Sequence, residues 1–201
     1  MNAVRIEREG DVLRVTMNRP DSRNAFDAQL VQELSTAFVD VGTVRTVVLR
    51  GAGPTFSAGA DLEWMRASIS LTLDENMADA NAMRRMFEAV DSCPAPVIAL
   101  VQGHAMGGGI GLVACADITI AHPRALFAFP EVKLGLIPAV ISPFVLRRIG
   151  ESAARRYFLT GERFDAAEAQ RIGLVHEVAD DLEARLAAVL AQLRENGPRA
   201  V

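Results

Sequence analysis

Basic charge, cysteine, histidine and long apolar runs are all scarce in this sequence, and each scarcity removes a class of function. Lysine occurs once, at Lys133, and the 21 basic residues are outnumbered by 25 acidic ones, leaving a net charge of −4. That balance offers no electrostatic footprint for nucleic acid. The two cysteines, Cys93 beside a proline and Cys115 within an apolar stretch, lack ligand spacing and predict ordinary thiols with no disulfide. His104, His122 and His176 lie far apart in unlike contexts, so no zinc spacing exists and no metal is expected. The longest apolar candidate is broken by glycines and by Asp117, short of the roughly 18 residues a membrane helix needs. Residues 1–9 alternate charged and apolar side chains without the hydrophobic segment of a secretory leader. These absences predict a soluble, cytoplasmic protein with neither a membrane nor a nucleic acid as partner.

What is present is hydrophobic and glycine-rich. Half the residues are apolar and 23% are charged, and a chain of this length can bury roughly 70% of its unfolded surface in one core. The organising stretch runs from Pro96 to Asp117. An apolar segment, Val97–Val101, reads as a buried strand; Gly103, Gly107, Gly108, Gly109 and Gly111 then open a second apolar run long enough for a helix. Glycines in such a turn cost backbone entropy and add nothing to a core. Two readings follow: tight packing, or backbone N–H groups at a helix start that attract an anion or a developing oxyanion. A phosphate loop would need Lys after its last glycine, and a dinucleotide turn would need a small residue where Leu112 stands.

Along the chain, Val4–Glu9 and Val12–Met17 alternate about Gly10-Asp11 as a β-hairpin. Asp27 caps a helix with Leu30, Val31, Leu34, Phe38 and Val41 on one face, and residues 44–49 form a third strand. That strand runs into a second glycine loop, from Gly51 to Asp61, and Asp61 caps a short helix through Trp64. A longer amphipathic helix follows, with Met77, Ala80, Met83, Phe87 and Val90 at helical spacing and its methionines as core filler. Beyond the glycine helix come a strand at Ile118–Ala121, the apolar run of residues 125–129 leading to Pro130-Glu131, and helices over 143–149 and 151–159. A helix at Ala166–Arg171, a strand over 173–178 and a last helix over 179–195 complete one α/β domain.

Each glycine loop follows a strand and precedes a helix, so N–H groups from both can converge on one carbonyl oxygen. At this point the sequence resembles the enoyl-CoA hydratase/isomerase (crotonase) superfamily over residues 12–178. The likeness rests on Asn18-Arg19-Pro20 with Asn24-Ala25, Phe56-Ser57-Ala58-Gly59-Ala60-Asp61-Leu62, residues 103–112, Phe129-Pro130-Glu131 with Gly135-Leu136-Ile137-Pro138, and Leu159-Thr160-Gly161 with residues 169–178.

The resemblance implies a spiral of β-β-α units that binds an acyl-CoA thioester, with the thioester oxygen held by the N–H groups of Ala60 and Gly108. It also implies a substrate and CoA surface made from Arg23, Ala25, Ser57, Ala58, Ala60, Asp61, Leu62, Gly108 and Gly111. Carbonyls of residues 57–60 would receive the adenine amine, and Arg23 would reach a CoA phosphate. Coenzyme A is then part of the substrate, and no separate cofactor is expected. Hydratases of the superfamily use two glutamates; one falls on Glu131, but Gly111 stands where the other would be. A lone Glu131, partly desolvated among Phe127, Phe129 and Leu134, can serve a hydratase or shuttle a proton as an isomerase does. Gly111, with residues 137–145 and 153–159, is similar to bacterial members assigned as methylglutaconyl-CoA hydratases of leucine and acyclic terpenoid breakdown. Members that keep the fold and lose catalysis, acting as binding or scaffold proteins, are a further reading.

The resemblance divides the chain into an acyl-CoA-binding core over 1–180 and a C-terminal helix over 181–201. Superfamily members usually continue into a helical segment that covers the acyl-CoA and helps build trimers. Here that segment is expected to be largely absent, ending at Gly197-Pro198-Arg199-Ala200-Val201. A homotrimer or dimer of trimers is expected, with apolar surface on the glycine-helix side bare or covered by a partner.

Overall fold

The computed structural model describes residues 2–197. The closing residues 198–201 lie outside the described residues. Alternating sequence becomes a hairpin, β1 (Val4–Glu9) and β2 (Val12–Met17), paired antiparallel. α1 (Ala28–Val39) follows, its first turn capped by the Asp27 carboxylate accepting from Leu30 N. Then come β3 (Thr46–Gly51), the short α2 (Leu62–Ala67) and the long α3 (Leu73–Asp91), which a reciprocal Thr72–Glu75 capping box starts. β4 (Val97–Val101) leads through β5 (Ala105–Met106) into α4 (Gly108–Cys115), and β6 (Ile118–Ala121) and β7 (Leu126–Ala128) precede α5 (Ser142–Thr160). The chain closes with β8 (Phe164–Asp165), α6 (Ala166–Arg171), β9 (Glu177–Val178) and α7 (Leu182–Glu195).

Two sheets result. The larger has the order β1-β2-β3-β4-β6-β9, parallel from β2 onward; the smaller has the order β5-β7-β8. A strand of the large sheet, a short strand of the small one and a helix recur in the turns β4-β5-α4 and β6-β7-α5. In the turn after β3, an isolated Ser57–Ala105 bridge stands in for the short strand. This is the α/β spiral of β-β-α units that the resemblance implied.

Every residue of β4 is buried, because both faces of the large sheet are covered. Val97, Ala99 and Val101 join the main core with α1, α3, α4 and α5. Ile98 and Leu100 face the other way and pack, with Val12, Val48 and Ile120, on Leu186, Val189 and Leu190 of α7.

Several local expectations shift. Met77 is 54% exposed and is not core filler, whereas Phe87 and Val90 are buried as expected, Met83 packs against the core and Met86 joins them. The strand expected over 173–178 is confined to Glu177–Val178, because Leu174 and Val175 fold back to donate to Ala169 O. The helices expected over 143–149 and 151–159 are both present within α5, separated at Gly150, whose φ of 73° and ψ of 164° are not helical. The exposed apolar surface is not on α4, which is buried from Gly109 to Cys115. Exposed apolar side chains include Leu136, Ile137, Leu146 and Leu159, on α5 and the turn before it, and Ile69 and Leu73 around the start of α3.

Candidate active site

The glycine loop of residues 51–61 is held by a polar knot at its base. Arg23 and Asn24 both take left-handed backbone, φ 55° each, a conformation that asparagine tolerates best among non-glycine residues. Asn24 is fully buried: its amide donates to Ala52 O at 2.9 Å and Thr55 O at 2.8 Å, and its Oδ1 accepts from Arg19 N. Ser57 Oγ donates to Asn24 O at 2.8 Å and accepts from Gly59 N at 3.2 Å. Arg19 ties the same region together, pairing with Asp27 at 2.9 Å, lying 3.9 Å from Asp61 and donating to Ala25 O. Gly59 has a φ of 83°, and a Cβ there would stand 3.4 Å from Gly108 N, so the two glycine loops touch at this point.

The consequence is two neighbouring backbone donors. Phe26 N donates to Gly59 O and Asp61 N to Phe26 O, but among the described hydrogen bonds Ala60 N–H has no acceptor. Gly108 N–H opens α4 and likewise has none, while Ile110 and Gly111 donate to Gly107 O. A helix start adds partial positive charge at that spot.

Glu131 sits on a short 3-10 turn, Pro130–Leu134, fixed from behind by Phe129. The Phe129 ring is fully buried and meets Phe158 edge-on at 4.7 Å. Gly107, with a φ of 48°, leaves room for the carboxylate: a Cβ there would lie 2.7 Å from Glu131 Oε1. Glu131 Oε2 is buried without a hydrogen-bond partner among the described residues. Burial pushes its carboxyl above the ordinary carboxylate range, partly offset by a backbone hydrogen bond. Phe127 and Phe129 are buried beneath it, whereas Leu134 is half exposed at the cleft mouth.

These parts line one cleft of about 980 Å³. Arg23, Ala25, Ala58, Ala60, Asp61, Leu62, Gly108 and Glu131 all border it. Two residues expected at the site do not. Ser57 is turned inward, where its hydroxyl braces the loop and its carbonyl accepts from Met106 N. Gly111 lies behind the wall, because a Cβ on it would be 2.5 Å from Ile141 Cγ2 and 2.8 Å from Phe87 Cε1. Of the loop carbonyls, Ser57 O and Gly59 O are taken within the chain, which leaves Ala58 and Ala60 as the described loop carbonyls open to an amine. Asp61 serves chiefly as the N-cap of α2, accepting from Glu63 N and Trp64 N. Sequence reading missed Gly107 as the seat of Glu131, Arg19 as the brace of the loop, and Phe87 with Ile141 as wall. Of the left-handed pair Arg23-Asn24, only Asn24 is a residue type that signals such backbone.

Paired backbone donors beside a desolvated carboxylate suit chemistry in which an acyl carbonyl becomes an enolate and one group carries the proton. Among the described residues, no cluster of three or more His, Cys, Asp or Glu side chains is placed to hold a metal, and no helix is long and apolar enough to cross a membrane.

The comparisons agree with that class. The family model for enoyl-CoA hydratase/isomerase matches residues 7–201. A putative enoyl-CoA hydratase of Thermus thermophilus is 34% identical over 203 residues, covering 98% of this chain and 80% of that protein. Against an enoyl-CoA hydratase of Alternaria alternata, AFT6-1, also 34% identical over 91% of this chain, the chain spans 60% of the relative. The crystal structure of an enoyl-CoA hydratase from Shewanella pealeana superposes with a TM-score of 0.95 at 43% identity, over 98% of this chain and 76% of that one. Pseudomonas aeruginosa AtuE does so with a TM-score of 0.95 at 42% identity, over 98% and 79%. The chain belongs to the enoyl-CoA hydratase/isomerase family, within the crotonase superfamily, and is an enzyme of the hydratase type.

Proposed function

We propose that the chain adds water across the 2,3 double bond of an enoyl-CoA thioester, with a methylglutaconyl-CoA-type substrate of leucine breakdown as the particular case. The thioester oxygen accepts from Ala60 N–H and Gly108 N–H. Glu131 takes a proton from water as its oxygen bonds to C3, and the double-bond electrons move onto the thioester oxygen as an enolate. Glu131 then returns that proton to C2 as the enolate collapses, so one carboxylate serves as base and acid in turn. No cofactor enters the scheme beyond the CoA of the substrate, whose phosphates meet Arg23 at the exposed end of the cleft. The observation that carries the reading is the buried Glu131 carboxylate, its Oε1 against Gly107 and its Oε2 without a partner among the described residues, beside the start of α4.

A second reading has its own support: of the cleft's carboxylates Asp21, Asp61, Glu63 and Glu131, Glu131 is the one with a buried, partnerless oxygen among the described residues, and a lone carboxylate also suits migration of a 3-enoyl double bond. A homotrimer or dimer of trimers is the proposed assembly, supported by the apolar groove of about 650 Å³ bordered by Leu136, Ile137, Leu146 and Leu159. A cytoplasmic location goes with these substrates. Spectrophotometric assays of the purified protein with crotonyl-, methylglutaconyl- and 3-enoyl-CoA decide the chemistry. Faster loss of the 2-enoyl chromophore than of 3-enoyl substrate supports hydration. The reverse order supports isomerisation, and acyl-CoA binding without turnover of any of them makes the chain a scaffold.

A further inference from the structure

Gly108 and Gly111 are three residues apart on α4 and so share one face of that helix. Each carries an aromatic ring where a side chain would be: a Cβ on Gly108 would stand 2.6 Å from Phe26 Cε2, and one on Gly111 would stand 2.8 Å from Phe87 Cε1. The two rings lie 6.2 Å apart, tilted by 55°, and Phe87 continues to Phe144 at 5.9 Å. Ile141 closes the other side of Gly111. Phe87 is 1% and Ile141 4% exposed, yet both border the cleft. Met83 and Val140, both packed against the main core, border the cleft with them, whereas the bordering Arg19, Arg23 and Asp61 come from the segment of residues 19–61.

From this geometry, and resting on the hydratase reading, we infer that Phe87 and Ile141, seated on the bare face of Gly111, are the specificity-determining residues that end the acyl pocket. The hydrocarbon of the substrate runs along the apolar wall until it meets the Phe87 ring. Behind that ring there is glycine backbone and no space, so the site takes enoyl thioesters with short or compactly branched acyl groups. The same contact explains why a glutamate is not accommodated at position 111: its Cβ alone would collide with both side chains. Gly111 acts through its neighbours and is a positioning residue.

The test is a chain-length series. For wild type, kcat/KM is measured on 2-enoyl-CoA substrates from four to ten carbons. Phe87→Ala, with Phe87→Leu and Ile141→Val as milder variants should it fold poorly, opens the wall. The ratio of long-chain to crotonyl-CoA kcat/KM rises by about 10-fold or more, the scale of discrimination by one or two methylenes in an apolar pocket. Gly111→Ala, whose added methyl group presses Ile141 and Phe87 toward the cleft, lowers the same ratio. A residue that merely supports the fold changes every substrate alike, so a ratio unmoved in both directions overturns the inference. If wild type hydrates none of the thioesters, the hydratase reading fails separately. Saturated acyl-CoA titrations of the same variants then read the wall directly, through a chain-length dependence of affinity that shifts or does not.

Discussion

On β4, Val97, Ala99 and Val101 point toward the helices that carry the cleft, whereas Ile98 and Leu100 point toward α7. The strand alternates without distinction, but its two sides are furnished differently. The cleft side lines its wall with glycine backbone at Gly59, Gly107 and Gly108 and keeps a carboxylate partly desolvated. The far side is closed by an ordinary amphipathic helix, stitched at its rim by Glu183 to Arg14 at 3.2 Å and Arg50 at 2.8 Å and by Arg194 to Asp11 at 2.6 Å. Exposed pairs of that kind add little stability; the apolar side chains beneath them supply most of it. The comparison therefore assigns chemistry to one face and a share of stability, without chemistry, to the other.

The largest expected effect is on the cleft side. Glu131→Gln lowers kcat by about 10² to 10⁴ while acyl-CoA binding persists, because the proposed donors to the thioester are backbone. Its effect on stability runs the opposite way. Since burial raises the Glu131 carboxyl above the ordinary range, the folded state holds that proton more tightly than the unfolded one. The ionised side chain thus costs stability at neutral pH, a cost that disappears as pH falls through the raised value. Glutamine, always neutral, leaves Tm unchanged or higher in calorimetry. The base must be ionised to act, so the acid limb of the wild-type kcat/KM profile falls at a pH above the ordinary carboxylate range.

Leu186→Ala gives the mirror image. It removes a side chain that is 1% exposed on the far face, costs about 2 to 5 kcal/mol in denaturant titration and leaves kcat unchanged wherever the protein is folded. Gly107→Ala breaks the separation, because it strains a φ of 48° and crowds Glu131 Oε1 at 2.7 Å. Stability falls by about 1 to 3 kcal/mol and kcat falls with it, seen in parallel melts and rate assays. The smallest effect is Asp181→Ala, which deletes the cap on Ala184 N at the start of α7 and costs about 1 kcal/mol with no change in rate.

Much of this was legible in the sequence because local chemistry demanded particular residues. Gly107 and Gly108 stood out for lacking side chains in a strand-to-helix turn, and Glu131 for being a carboxylate directly after an apolar run. The hairpin, α1 and its Asp27 cap could be read from period and cap alone. What could not be read depends on distant segments meeting. Gly111 sits in a plausible catalytic run, and only the convergence of Phe87 and Ile141, from α3 and the start of α5, places it behind the wall. Ser57 looked like part of a ligand loop until Asn24 claimed its hydroxyl. Residues 179–195 read as a tail helix because nothing in their spacing says which face of a sheet they cover, and Met77 read as core because periodicity does not mark where a helix leaves the body.

The proposed chemistry requires Ala60 and Gly108 to share one oxygen. A crystal structure with an acyl-CoA that cannot react measures this directly. It should place the thioester oxygen at about 2.7 to 3.1 Å from both backbone nitrogens, with the Glu131 carboxylate beside C2 and C3. A thioester oxygen bound elsewhere, or either N–H found donating within the chain, would contradict it.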